Sequence, residues 1–488
     1  MNNISTILVE KSVLDSELNK RIQSFYNIET NLINKTRSSI KAFLNHLNDD
    51  LKVLIEFPYV DKLYRDTYYN YFSSKTIEYS RDCIRLSIFK ETFTETDLFN
   101  VELIQNNYLG FLIIRPTFPN VIGRNVINPI AFKQHDIHIC NLNLNSTCNY
   151  LKLSSNGFPH SSQDQETMTC AETTLWSIVE YFGNKYNEYR PLLPSEIHTI
   201  LSQFSFERQI PSNGLQASQI SFALKKIGFG VRIYSRNVYA SEFDSILKTY
   251  IESGIPIVGV VQNAQIGHAL NIIGRTTYTL ENYGLLDTEQ LRGDLQIKDI
   301  NKCKVDLVFV DDNYAPYRTA DISNPTSYYS SADWGGCRIS NIIVPLYPKI
   351  YMEAGEARKI SKDLLRLLPV LKNRQIAIKT FLTSSRSYKN YLINLTDIDE
   401  ILKKILLSLS MPKFIWITEI FDEKEFLNKK CEGLIILDAT EPKEFHVIGA
   451  VFEDSFIKKN NKSGISAFRI SNSLFTSYKD NLKYYGDN

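Results

Sequence analysis

At 488 residues, with 43% hydrophobic, 12% aromatic and 22% charged side chains, the chain is long enough for two or three globular domains with ample core. Its 55 basic and 54 acidic groups leave a formal net charge of +1, so no overall field recommends nucleic acid or an anionic membrane as the main partner. Seven cysteines at irregular spacing suit reduced thiols in a cytosol rather than a disulfide framework. The longest apolar runs, Leu109 to Ile114 and Ile255 to Val261, fall far short of the ~20 residues a membrane span needs. Acidic and polar residues stand too early in the N-terminus for a signal peptide, which completes the expectation of a cytoplasmic protein.

From Asn3 to about Ser80 the apolar positions, among them Leu51, Leu54, Phe57, Leu63 and Tyr64, fit amphipathic helices with an aromatic face. Strand-like runs follow at Ile84–Phe89, Val101–Ile104 and Tyr108–Arg115, giving an α+β N-terminal domain over 1–150. Asn141 to Ser162 is rich in Asn and Ser and reads as a linker.

The second region, 151–350, alternates helices and strands. Helices are predicted at Thr173–Phe182, Pro194–Phe204, Ala217–Ile227 and Ser241–Glu252, the third stopped by Gly228. Strands are predicted at Phe229–Tyr234, Ile255–Gln262, His268–Ile273, Leu307–Val310 and Ile339–Leu346, with a polar insertion at Thr276–Lys304. A third α+β region, 351–488, has helices at Glu353–Leu368 and Ile398–Leu409. Its strands lie near Ile376–Leu382, Phe414–Ile420, Leu434–Asp438 and Val447–Phe452.

Chemistry concentrates in the middle region. Cys170 opens a helix whose apolar positions, Leu175, Ile178, Val179 and Phe182, stop at Gly183. The unpaired N–H groups and positive dipole at a helix start favour a thiolate and can hold an oxyanion. Gln163 and Gln165 upstream offer a further donor. Cysteine nucleophiles need a base and a group that orients it. His268 stands at the head of an apolar strand after Gly267, and the next strand delivers Asp311, Asp312 and Asn313 at its end. If the two strands are neighbours, any of these three can reach the ring nitrogen facing away from the sulfur.

The order glutamine, Cys-helix, Gly-His strand, strand-Asp resembles the papain-like cysteine peptidases. It is most similar to the compact bacterial branch that processes double-glycine leaders of bacteriocins, over about residues 162–315. The resemblance implies a papain-like α+β fold, with the cysteine helix packed on an antiparallel sheet carrying His and Asp, extended by α+β regions at both ends. It implies Cys170 as nucleophile, His268 as base, Asp311 or Asp312 as orienter, and Gln165 or Gln163 as oxyanion donor. Asp164, not a glutamine, stands six residues before Cys170, the place where that branch keeps the glutamine; the two glutamines flank it.

The expectation is a cytosolic thiol hydrolase acting on a peptide or isopeptide bond of a protein substrate, with no metal or organic cofactor. The flanking regions are read as surfaces for a protein partner. Two alternatives stand beside it: a catalytically silent papain-like peptide-binding or assembly module, and a transglutaminase- or deamidase-type acyl transferase using the same residues. Weaker motifs carry less. His135, His138 and Cys140 have metal-ligand types, but a strand splits them across faces. Gly228-Phe-Gly230 is a helix stop rather than a dinucleotide fingerprint. Arg386 sits in a Ser-rich turn, and His160 is a second imidazole ahead of Cys170.

Overall fold

The computed structural model describes residues 5–26, 28, 30–134, 136–204, 210–211, 214–367, 374–442, 446–459, 465–470, 474–479 and 481–486. The architecture is mixed α+β and multidomain, with helices packed against three large sheets. The first is a five-stranded antiparallel meander of Ser5–Glu10, Lys52–Tyr59, Cys83–Phe89, Tyr108–Ile114 and Ile122–Ile127. Cys83–Phe89 and Tyr108–Ile114 are buried at every position. Both faces are therefore covered: Tyr108–Ile114 reads as a continuous apolar run, while Cys83–Phe89 buries Arg85 and Ser87 on its second face, Arg85 lying 3.3 Å from Glu56.

Three local expectations change in this region. Lys52–Tyr59 is a strand, not part of a helix, because its Val-Leu-Ile run lies inside the sheet. Val101–Asn107 is a helix, not a strand. Asn100 caps it by accepting from the backbone N–H groups of Glu102 and Leu103 at 3.0 and 3.2 Å. The stretch read as a linker contains a β-hairpin, Leu142–Cys148 paired with Leu151–Gly157. Its two turn residues, Asn149 and Tyr150, both have positive φ, the geometry a two-residue hairpin requires. Leu144, Cys148 and Leu153 alternate inward and are buried.

The central sheet runs in the order Arg318–Ala320, Leu307–Val310, Gly267–Thr276, Ile257–Gln262, Arg338–Leu346, Gly230–Ser235. The far end of Gly267–Thr276 also pairs with Ile137–Ile139, which in turn pairs with Lys483–Tyr485 near the C-terminus. Two strands of this sheet thus come from outside the middle region. The third sheet contains Thr288–Arg292 and Leu295–Asp299, the polar insertion, hydrogen-bonded to Arg374–Ser384 and then to Phe414–Asp422, Gly433–Asp438, Val447–Phe452, Ser455–Lys459 and Ile465–Arg469. The insertion is therefore structured, its second strand lying parallel to Arg374–Ser384. One core of buried apolar side chains extends from Leu14 to Tyr485, and a second core belongs to the third region and the insertion.

Candidate functional site

The helix Cys170–Lys185 lies on the strand Gly267–Thr276, and two hydrogen bonds set its position. Thr174 Oγ1 donates to the Ala269 carbonyl at 3.1 Å, and Asn271 Nδ2 donates to the Thr174 carbonyl at 3.1 Å. The first turn of the helix therefore stands over the head of the strand, where His268 is. The antiparallel register Asn271–Val310 brings the end of Leu307–Val310 beside the same residue. His268 Nε2 reaches Asp311 Oδ1 at 3.0 Å and Asp312 Oδ1 at 3.6 Å. All three side chains are buried.

Asp311 is fully satisfied. Its Oδ1 also accepts from the Asn313 N–H at 3.0 Å, and its Oδ2 accepts from the Tyr328 and Tyr329 hydroxyls at 2.9 and 2.7 Å. Its carbonyl meets His160 Nε2 at 3.1 Å, while His160 Nδ1 faces Asn125 Nδ2 at 2.8 Å. His160 is thus a buried brace behind Asp311, its pKa lowered to about 4 by burial. Asp312 differs: neither carboxylate oxygen has a hydrogen-bond partner, although both are buried.

The electrostatics follow from this asymmetry. Burial pulls the His268 pKa down, but the Asp311 charge and hydrogen bond outweigh it and hold the imidazole well above its usual value. A hydrogen bond with Cys170 and the charge of Asp312 act in the same direction. Burial likewise works against Asp311, whose carboxyl is nevertheless kept below the ordinary range by His268. Asp312 is raised to about 7. Burial dominates, His268 offsets part of it, and Asp311 and Glu172 add repulsion. Trp334 sits edge-on to the ring at 5.2 Å and stacks on Tyr329 at 3.7 Å, forming an aromatic wall.

This arrangement corrects the expected thiol hydrolase with a Cys170–His268–Asp311 triad. The tight polar cluster among the described residues is His268, Asp311 and Asp312, with ligand atoms all within 4.8 Å of one another, and it contains no cysteine. The cysteines are dispersed: six are buried elsewhere, and Cys170 is a partly exposed neighbour of the ring. The physical reason lies in charge. The third member of the tight cluster around the imidazole is the carboxyl of Asp312, 3.6 Å from Nε2, where the expected triad would have the thiol. The first turn of the helix is also occupied by a carboxylate, Glu172, which accepts a hydrogen bond from Thr169 Oγ1 and uses the dipole that a thiolate would have shared.

Gln163 donates its amide to Asn313 Oδ1 at 2.7 Å, and Gln165 is exposed, with φ at 66°. Asp164 between them organises the loop, accepting from the N–H groups of Glu166, Thr167 and Met168. Asn313 links Gln163 to Tyr329 rather than orienting the histidine.

One imidazole and two carboxylates form a donor set suited to a divalent cation. Protein hydrogens fill Asp311, however, and an ion would have to displace the His268 bond. Of the other metal-ligand types, His135 lies outside the described residues, His138 lies tilted against Tyr484 with ring centroids 4.8 Å apart, and Cys140 is a buried thiol raised to about 12 by burial. Tyr328, Tyr329, Trp334 and Glu172 were not predicted as site residues. The sequence signal for the first three was an aromatic cluster inside a polar loop. No protein-family model matches the chain, and no curated protein is similar to it in sequence.

Proposed function

We propose that the chain is a papain-like peptide-binding and assembly module that does not turn its ligand over. The observation carrying this reading is the buried His268–Asp311–Asp312 cluster, whose positive charge is neutralised internally. A helix laid across an antiparallel sheet, with His268 and Asp311 at neighbouring strand ends, supports the papain-like arrangement. The partly exposed Cys170, Tyr329 and Trp334 form a ledge with the amides of Gln163 and Asn313 at its edge. Apolar surface next to amide groups suits an extended segment of a cytosolic protein partner, which presents side chains and backbone hydrogen-bonding groups in alternation.

Two measurements test the proposal. Peptides selected on the immobilised full chain from a displayed library should be retained by Cys170→Ala and lost by Trp334→Ala. Iodoacetamide labelling of Cys170 should proceed at the same rate in His268→Asn as in the unaltered protein. Rapid labelling below about pH 6 that disappears in His268→Asn, or a Cys170-linked acyl adduct seen by mass spectrometry, would overturn the reading.

A further inference from the structure

A cavity of about 750 Å³ lies where the central sheet meets the third region, far from His268. Arg275, in its wall, is seven positions along the same strand, about 23 Å away at the usual rise per residue. Six cationic side chains line it: Lys185, Arg275, Lys379, Lys429, Lys479 and Lys483. Glu252 is the single carboxylate among the described lining residues. Glu252 is already committed, paired with Arg275 and accepting from the Tyr278 hydroxyl at 3.0 Å. Lys379 lies 3.5 Å from Glu419. Lys185 donates only to neutral oxygens, the Asn141 carbonyl and the Tyr181 hydroxyl. Lys429, Lys479 and Lys483 have no ion-pair partner among the described carboxylates.

Cations gathered around one concavity repel each other and focus a positive potential that an anion relieves. The field reaches His138 in the same wall. Burial, then the charge of Arg275, hold its pKa down at about 3, with Lys429 acting in the same direction. Charge is only half of the lining. Phe381 stacks on Tyr478 at 5.3 Å, Tyr484 leans on His138, and Phe426 faces the same space. The volume falls in the range of small-molecule sites, and aromatic walls beside lysines suit a flat ring joined to phosphates.

We propose that this cavity binds a small polyphosphorylated ligand carrying a planar ring, the class to which nucleoside di- and triphosphates belong. The test is calorimetric titration of the full chain with ATP and with inorganic pyrophosphate, at low and at physiological salt. Saturable ATP binding is expected, tighter than that of pyrophosphate and weakening as salt rises. It should fall at least about tenfold in the double variant Lys429→Glu, Lys483→Glu. The milder pair Lys429→Gln, Lys483→Gln keeps the test valid should charge reversal unfold the protein. Absence of saturation at millimolar ATP, unchanged affinity in a folded variant, or pyrophosphate binding as tightly as ATP would overturn the proposal. None of these substitutions touches the His268 cluster, so the two sites stand or fall separately.

Discussion

Asp312 is the residue on which the charge balance of the site turns. A carboxyl raised to about 7 when folded holds its proton more tightly than the unfolded chain does. Its contribution to stability therefore falls as pH rises from about 4 to about 7 and levels off above that. The His268 pKa is raised as well. Its contribution is complete below its unfolded value of 6.5 and declines from there as pH rises through the raised folded value, so of these two groups only Asp312 changes below that value. Asp312→Asn removes the titration. Relative to wild type it should gain on the order of 3 kcal/mol between pH 4 and pH 8, read from urea unfolding at each pH. Parallel pH curves for the two proteins would show that Asp312 is not held protonated. Asp311→Asn should act differently. It leaves Tyr328 and Tyr329 with a weaker acceptor and His268 without its counter-ion. An imidazole NMR titration should then show the His268 pKa falling by at least about one unit.

Elements are held in place by a few buried polar contacts as well as by apolar packing. The helix Cys170–Lys185 is anchored at its other end by Glu180, whose side chain is fully buried. It pairs with Lys62 at 3.1 Å and Arg124 at 3.3 Å, both from the N-terminal region. Glu180→Ala leaves Arg124 largely buried without this partner and should cost about 3 kcal/mol, measured by chemical denaturation. A cost within experimental error would mean that the helix is placed by packing alone. Gly274 does a similar job for the central sheet. A Cβ at that position would run into the His138 carbonyl, so Gly274→Ala should loosen the pairing with Ile137–Ile139. Faster amide exchange at Ile139 than in wild type would report it, and unchanged exchange would refute it.

At the scale of the whole molecule, the three regions share structure instead of being strung together. Ile137–Ile139 and Lys483–Tyr485 complete the central sheet, Tyr485 OH donates to Asn141 Oδ1 at 2.6 Å, and the larger core spans the chain from Leu14 to Tyr485. Removing residues 1–140 should therefore unfold the His268 region rather than release it. Circular dichroism of the fragment would show loss of a cooperative melt, whereas a sharp transition would establish an independent middle domain. The sequence by itself determined the helices and strands that carry strong periodicity: Cys170–Lys185, Ala217–Ile227, Gly267–Thr276 and Phe414–Asp422 lie close to their predicted positions. That His268 and Asp311 meet depended on the pairing of Gly267–Thr276 with Leu307–Val310, which the sequence allowed and the tertiary structure supplies. Only the tertiary structure decided the charge at that site, since desolvation and the proximity of Asp312 and Glu172 depend on distances between segments far apart in the chain. The same holds for the hairpin after Asn141 and for the cationic cavity. The hairpin leucines find their core, and the lysines their common space, only once distant strands have paired.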